Sequence, residues 1–269
     1  MSGADAVFTG SIPALYDRHL GPVLFAPYAD DIAERACAEP VCDLLEIAAG
    51  TGIVTRALRA ALPPDVRIIA TDLNEAMVRH AEAHSGAHDV TWRRADAMSL
   101  PFGDGQFDLV VCQFGAMFFP DRVRAYREAH RVLRPGGRFL FNMWTPIEDS
   151  EAVLIVTQSV AASFPDDPPS FFTRTPHGHG DPDVAKADLH EAGFLSVNAS
   201  AVDGRGYGAS ALSVATGICQ GSPLRNEIEA RDAARLEQVT RTAADALAAR
   251  FGDGPFETRT RAYVYDARK

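Results

Sequence analysis

The sequence D-L-L-E-I-A-A-G-T-G, from Asp43 to Gly52, carries the most information about the fold of this chain. An apolar run leads to the acidic Glu46, and a loop of small residues, Ala48 to Gly52, precedes the amphipathic stretch Ile53 to Leu62. This order predicts a strand, a tight turn and a helix. Because the turn lacks bulky side chains, a ligand there can touch the backbone and the helix N-terminus directly.

Two ligand classes use such a turn, and the spacing of the glycines separates them. A dinucleotide-binding turn has the pattern G-x-G-x-x-G, in which the third glycine permits close packing of the helix on the strand. With Gly50 at the second position, Ala48 stands at the first and Ile53 at the third. Ile53 fits that position poorly, so the sequence disfavours NAD and FAD. Ala48 requires a backbone conformation that is acceptable to a residue with a Cβ atom.

The composition limits the classes of partner. The chain has 269 residues, 46% of them hydrophobic, and a formal net charge of −10. The basic surface that nucleic acid requires is therefore not expected. The four cysteines show no C-x-x-C spacing, the N-terminus lacks the character of a signal peptide, and no long apolar run indicates a membrane span. We expect a cytoplasmic protein with free thiols and no bound metal.

Strand patterns alternate with helix patterns in the first part of the chain. Asn74 is expected to cap a helix from Glu75, and Pro135-Gly136-Gly137 is expected to stop the helix that starts at Asp121. Such alternation predicts a doubly wound parallel sheet, whose ligand lies beyond the carboxyl ends of the strands. The predicted strands after the first are 66–72, 90–93, 107–113 and 138–144.

The order changes after Trp144. Helices are predicted at 150–163, 182–192, 210–220 and 224–251, and strands at 196–202 and 256–265. A loop rich in Pro, Gly and His covers 164–182. We divide the chain into an N-terminal helical lid at 1–39, a ligand-binding core at 40–145, and the remainder of the sheet with helical cap insertions at 146–269, all within a single domain.

Acidic and polar side chains fall at the predicted strand ends, namely Glu46, Asp72, Asp96 and Gln113. A carboxylate at Asp72 can accept hydrogen bonds from both hydroxyls of a ribose, although an aspartate there can also cap a helix. Asp96 can accept from an adenine amino group while the Ala97 amide donates to a ring nitrogen. The alternative for Asp96 is a turn aspartate that satisfies local amides.

Four segments occur in order at suitable spacings: D-L-L-E-I-A-A-G-T-G, A-T-D-L-N-E-A-M-V, A-D-A-M-S-L-P-F-G-D-G-Q-F-D-L-V-V and R-V-L-R-P-G-G-R-F-L-F. Together they resemble class I S-adenosylmethionine (SAM)-dependent methyltransferases, in particular the ubiquinone/menaquinone-biosynthesis-type small-molecule enzymes. The resemblance implies an α/β, mostly parallel seven-stranded Rossmann-like sheet with helices on both faces and a helical cap. It also implies SAM as cofactor, S-adenosylhomocysteine (SAH) as product, and a small-molecule acceptor.

The resemblance assigns roles to individual residues. The loop lies against the methionine part of SAM, Glu46 anchors its amino group, Asp72 binds the ribose, and Gln113 faces the methionine part or the reaction chamber. The N-terminal segment closes the site through Tyr16 or, second, Tyr28. The implied cofactor-binding residues are Tyr16, Glu46, Ala48, Gly50, Thr51, Gly52, Asp72, Leu73, Met77, Asp96, Ala97 and Gln113.

The acceptor site is less well defined by the sequence. Aromatic residues can line it, with Phe118, Trp144, Phe171 and Phe172 as the candidates, and core packing is the alternative for each. His19 and His177 are candidate general bases. His177 and His179 in T-P-H-G-H-G-D-P are interpreted as part of a solvated loop rather than a metal site. A non-catalytic SAM-binding protein, or a SAM enzyme of another reaction type, is the alternative function.

Overall fold

The computed structural model describes residues 10–269 and contains one seven-stranded sheet. The strand order is β3-β2-β1-β4-β5-β7-β6; β1 to β5 run parallel, and β7 is antiparallel to β5. This confirms the predicted α/β fold with a mostly parallel Rossmann-like sheet. The strands are β1 (Asp43–Ile47), β2 (Arg67–Asp72), β3 (Thr91–Arg94), β4 (Phe107–Gln113), β5 (Leu133–Trp144), β6 (Ser196–Gly208) and β7 (Phe256–Arg268).

Helices connect the strands and fill the insertions. A π-helix, Tyr16–Phe25, joins α1 to α2, and three 3-10 turns lie at Ala116–Phe118, Ile147–Asp149 and Ala233–Arg235. Among the described residues, none of the helices combines the length and the apolar character needed to cross a membrane. The α-helices are α1 (Ile12–Leu15), α2 (Ala26–Ala36), α3 (Ile53–Ala61), α4 (Glu75–His84), α5 (Arg122–Val132), α6 (Glu151–Ala162), α7 (Phe171–Arg174), α8 (Pro182–Glu191), α9 (Ala211–Gln220), α10 (Leu224–Asp232) and α11 (Leu236–Phe251).

The chain forms two compact units that are interleaved in sequence. The sheet unit comprises 28–144, 179–202 and 262–269, and the helical unit comprises 10–27, 145–178 and 203–261. The assignment of 1–39 as a lid stays a prediction. Its first nine residues, which also carried the expectation that no signal peptide is present, lie outside the described residues.

The core of the sheet unit follows from the apolar runs of its central strands. Leu44 in β1 and Leu109 and Val111 in β4 are almost completely buried, together with Leu58 of α3 and Ile68 of β2. Each such side chain contributes about 1.5–3 kcal/mol through its removal from water. Burial on both faces explains why these strands read as continuous apolar runs rather than alternating ones.

The helical unit is built around α11, which packs against α6 and α9. The π-helix approaches α9 closely, because a Cβ atom on Gly217 would lie 2.9 Å from the Cβ atom of His19. Pro22 lies inside the π-helix and cannot donate a backbone hydrogen bond.

Some predicted boundaries are wrong for identifiable reasons. The helix that begins after Asp121 ends at Val132, before Pro135, and the strand already starts at Leu133 with a bulge before Arg138. The single helix predicted at 224–251 is interrupted, because the Asp232 side chain accepts a hydrogen bond from the Ala234 amide and begins a new turn.

The Pro-, Gly- and His-rich segment 164–182 is more ordered than a loop prediction suggests. It contains α7, and Glu227 of α10 accepts from the Ser170 amide at 2.8 Å and pairs with Arg174 at 2.9 Å. Arg231 pairs with Asp167 at 3.0 Å. These contacts attach the segment to α10 within the helical unit.

Candidate functional site

Glu46 is a buried carboxyl group near the carboxyl end of β1. Its side chain is only 1% exposed, and its Oε2 atom accepts a hydrogen bond from the Thr55 hydroxyl at 2.6 Å. Burial is the main cause that raises the pKa of Glu46 to about 8, and the nearby Asp72 carboxylate raises it further. Glu46 is therefore mostly protonated at neutral pH, and a cationic group placed beside it would favour its ionised form.

The loop from Ala48 to Gly52 is fixed by backbone hydrogen bonds. The Ala49 amide donates to the Thr71 carbonyl at 2.9 Å, and the Gly50 amide donates to the Asp72 side chain at 2.9 Å. Gly50 has a φ of +56°, and a Cβ atom built on it would meet nothing within 4 Å. The loop therefore borders open space at Gly50, which is what a bound ligand requires.

Gly52 is needed for close packing against β3 rather than to leave space for a ligand. Its φ is +81°, and a Cβ atom there would lie 2.8 Å from the ring of Trp92 in β3. A side chain at this position would strain the backbone and push against a rigid indole. The two glycines of the turn thus have different physical roles.

Asp72 ties together the loops that follow β1 and β2. One carboxylate oxygen accepts from the Gly50 amide and the other from the Asn74 amide at 2.7 Å. Asn74 is the N-cap residue of α4, as predicted, but its side chain makes no capping hydrogen bond. Burial raises the pKa of Asp72, while these backbone hydrogen bonds lower it. Each carboxylate oxygen has a further lone pair with which it can accept from a ligand hydroxyl.

The remaining predicted adenine residues lie just after β2 and β3, except for Met77, which lies in the first turn of α4. Leu73 is 48% exposed, whereas Met77 and Ala97 are buried. Asp96 is half-buried and accepts from the Met98 amide at 2.8 Å, so the turn role is present. The Ala95 amide donates to the Asp72 carbonyl at 3.0 Å, which holds the two loops together. Adenine contact by these residues stays a prediction.

Two strained residues mark the centre of the candidate site. Among the described non-glycine residues, only Ala48 and Phe114 have positive φ angles, +55° and +49°. They follow β1 and β4, the neighbouring strands from which the strand order runs in opposite directions. Ligands of open parallel sheets bind at such a switch point, and backbone strain of about 1–3 kcal/mol per residue clusters at functional sites.

Ala48 therefore occupies the left-handed region, which costs a residue with a Cβ atom more than glycine. Its methyl group lies against Gly115, because a Cβ atom added at Gly115 would overlap it. The loops after β1 and β4 are thus in direct contact.

Aromatic rings pack beside the β4 loop. Phe114 stacks on Trp144, with ring centroids 3.8 Å apart, and Tyr28 meets both rings edge-on at 5.2 and 5.3 Å. Trp144 is buried in this group. Phe118 is half-buried in the 3-10 turn that follows. Acceptor binding by Phe118 and Trp144 stays a prediction.

The helical unit holds the other candidates. Tyr16 stacks on Phe25 with centroids 4.8 Å apart, and His19 Nδ1 lies 2.8 Å from the Ser213 hydroxyl. Phe171 and Phe172 are buried and meet edge-on at 5.0 Å. The assignment of Tyr16 to the cofactor, of His19 to proton transfer, and of the two phenylalanines to the acceptor stays a prediction.

The interpretation of His177 and His179 as part of a solvated loop is wrong. His177 is 8% exposed, its Nδ1 atom lies 2.7 Å from the Thr145 carbonyl, and burial lowers its pKa to about 4. His179 is half-buried, and its Nδ1 atom lies 2.8 Å from the Arg122 guanidinium. Both partners are distant in sequence. Within residues 10–269, no cluster of three or more His, Cys, Asp or Glu side chains is arranged to hold a metal ion.

The Gly50 amide is bonded to the Asp72 carboxylate, and the Glu46 carboxyl group at the end of the neighbouring strand β1 is bonded to Thr55. Sequence reasoning missed Thr55 and Asn142. Thr55 lies one helical turn beyond the loop, and only its contact with Glu46 reveals it. Asn142 is a single polar residue inside the apolar run R-F-L-F-N-M-W, which is a detectable sign of a buried polar role.

Comparison with known proteins agrees with this geometry. Residues 45–141 match the family described as "Methyltransferase domain". These residues form a class I methyltransferase domain. The match covers the loop after β1, the three acidic strand-end residues Glu46, Asp72 and Asp96, and the β4 loop.

Relatives of this methyltransferase domain carry related names. A demethylmenaquinone methyltransferase from Geobacillus stearothermophilus is 32% identical over 133 residues, which cover 47% of this chain and 57% of the relative. A ubiquinone/menaquinone biosynthesis C-methyltransferase from Caulobacter is 37% identical over 121 residues, with coverages of 42% and 48%. The chain thus spans about half the length of the curated relatives it matches.

The [4+2]-cyclase SpnF has the same fold as this chain. Its crystal structure superposes with a TM-score of 0.59 at 20% identity, over 96% of this chain and 93% of SpnF. At this identity the likeness concerns the fold alone.

Proposed function

We propose that this protein transfers a methyl group from SAM to a small-molecule acceptor. The observation that carries the proposal is the open space at Gly50, bordered by a loop that is bonded to Asp72 and that follows the buried Glu46. The methyltransferase domain match at 45–141 and the names of its relatives support the same conclusion.

The residues present fit SAM. The Asp72 carboxylate can accept from the ribose hydroxyls, and the exposed Leu73 can cover adenine together with Asp96 and Ala97. Glu46 would attract the ammonium group of the methionine part. An ammonium near Glu46 lowers the pKa of that carboxyl group, so binding should release a proton near neutral pH.

When bound, SAM supplies an activated methyl group on a sulfonium sulfur. The contribution of this chain is to align the reactants and to exclude water, which can supply much of the rate acceleration. We assign acceptor contact to Phe118, Trp144, Phe171 and Phe172. His177 would act as a proton acceptor through Nε2, because a neutral ring must donate from Nδ1 to the Thr145 carbonyl. His19, beside Ser213, is the second candidate.

A small metabolite is favoured over a nucleic acid because the net charge is −10. The relatives named for quinone biosynthesis support an acceptor that is partly apolar. The free thiols of Cys37, Cys42, Cys112 and Cys219 support a reducing, cytoplasmic location.

Two measurements test the proposal in sequence. Thermal unfolding should shift upward with SAM and with SAH but not with NAD or FAD; a ligand at about 100 Kd adds about 2.7 kcal/mol. Incubation with methyl-labelled SAM and a metabolite collection should then yield a labelled product together with SAH.

The outcomes separate the alternatives. A shift with NAD and none with SAM would overturn the cofactor assignment. Binding of SAM without any turnover would indicate a SAM-binding protein, and a by-product other than SAH would indicate another reaction type. The last outcome matters because the similarly folded SpnF is named as a cyclase.

A further inference from the structure

Two side-chain amides lie next to each other at the carboxyl ends of β4 and β5. Gln113 and Asn142 are paired in the register of these parallel strands, and Asn142 Nδ2 lies 3.4 Å from Gln113 Oε1. Asn142 is completely buried, whereas Gln113 is half-buried at the strand end. A fully buried amide in an apolar strand indicates a specific polar role.

The orientation of both amides follows from one backbone group. The Phe114 amide N–H can only donate, and it lies 2.8 Å from the Asn142 side chain, so the atom that receives it must be Oδ1. The Asn142 NH2 group is then directed at Gln113. Because an NH2 group only donates, the Gln113 atom that faces it must be Oε1. The Gln113 NH2 group is therefore at the opposite end of its amide.

We propose that Asn142 is a positioning residue that fixes the polarity of Gln113, so that Gln113 offers hydrogen-bond donors to the carboxylate of the amino-acid part of the cofactor. The inference rests on the proposed function. An NH2 group can pair with a carboxylate but not with an ammonium group, which also only donates. The two poles of the amino acid are therefore divided: Glu46 serves the ammonium group and Gln113 serves the carboxylate.

The test compares two ligands by calorimetric titration of the full chain. SAH has both poles, whereas its decarboxylated analogue keeps the ammonium group and lacks the carboxylate. The wild-type protein should bind SAH more tightly than the analogue. Gln113→Leu should weaken SAH about 10- to 100-fold, the range for a lost hydrogen bond to a charged group, and leave the analogue within about twofold.

Further variants separate positioning from general damage. Gln113→Glu should weaken SAH at least as much as Gln113→Leu, because it places two carboxylates together. Asn142→Leu has a similar size and removes the donor to Gln113, so the orientation of the Gln113 amide is no longer fixed and SAH should again weaken selectively. Gln106→Glu, which adds the same charge just before the other end of β4, is the matched control and should change neither affinity.

Each result has a defined meaning. Equal losses for SAH and its analogue in the Gln113 variants, or unchanged SAH affinity, would overturn the inference while leaving the proposed function intact. No SAH binding by the wild-type protein would overturn the proposed function and the inference with it. If Asn142→Leu does not fold, the two Gln113 variants still decide whether Gln113 serves the carboxylate, because Gln113 is only half-buried.

Discussion

Replacing Glu46 with glutamine should change how the stability of this protein depends on pH. The folded pKa of Glu46 is about 8 because of burial, against an ordinary value of 4.5. The contribution of Glu46 to folding stability is fully present below pH 4.5. It is lost as the pH rises to about 8, because Glu46 ionises in the unfolded chain at a lower pH than in the folded protein. Glutamine resembles the protonated carboxyl group and can still accept a hydrogen bond from Thr55. The variant should therefore fold, and its stability should not fall with pH in this way.

The size of the effect follows from the linkage between protonation and folding. One pKa unit corresponds to about 1.4 kcal/mol, so the unfolding free energy of the wild type should fall by about 1.4 kcal/mol per pH unit relative to Glu46→Gln. Between pH 5.5 and 7.5 the difference between the two proteins should change by about 3 kcal/mol. Urea unfolding at several pH values measures it. The titration of His177 and of other shared groups largely cancels in the comparison.

Parallel stability profiles for the two proteins would refute this reasoning. They would mean that Glu46 is already ionised in the folded protein across this range. The role of Glu46 as a neutral group that ionises beside a cationic ligand would then fail as well, although SAM could still bind.

Three further predictions concern the loops and the helical unit. Asp72→Ala should weaken SAM by about 1–3 kcal/mol, with Asp72→Asn less affected; unchanged affinity in calorimetry would leave Asp72 as a partner of backbone amides only. Ala48→Gly should raise the unfolding free energy by about 0.5–1 kcal/mol in urea, because it relieves a φ of +55° at some entropic cost; a decrease would show that the Ala48 methyl contact outweighs the strain. Phe171→Ala should cost about 3–5 kcal/mol because Phe171 is buried, so its acceptor role should be tested with Phe171→Leu and with His177→Gln. Those milder variants should change turnover or acceptor preference and keep SAM affinity within a few-fold, and a loss of SAM binding instead would contradict the assignment of Phe171 and His177 to the acceptor.

The sheet and the centre of the candidate site could be predicted from the sequence because they depend on local patterns. The β4 run 107–113 is apolar on both faces, and its bounds are as predicted. The small residues after β1 indicate a ligand turn, and the structure shows open space at Gly50. The strand-end position of Asp72 likewise follows from the pattern.

Other features depend on partners distant in the chain and could not be predicted locally. His177 looks like a polar loop residue, but the Thr145 carbonyl satisfies its ring and allows it to be buried. The segment that contains it is attached by Glu227, which is far along the sequence. Asn74 has the right position for a cap, but its side chain makes no capping bond, while its own amide donates to Asp72. The left-handed backbone at Ala48 could not be predicted, because alanine usually avoids that region and gives no sign of it.

The contact between Ala48 and Gly115 restricts the order in which these two positions can change over generations. A methyl group at 115 would overlap the Ala48 methyl group, so a chain that acquires alanine at 115 first should pass through a defective form. A chain that first acquires glycine at 48 removes that obstacle, and only the Cys112 sulfur, 2.8 Å from the new atom, would then have to shift. The same double substitution is therefore accessible by one route and blocked by the other, and its effect cannot be inferred from either single change.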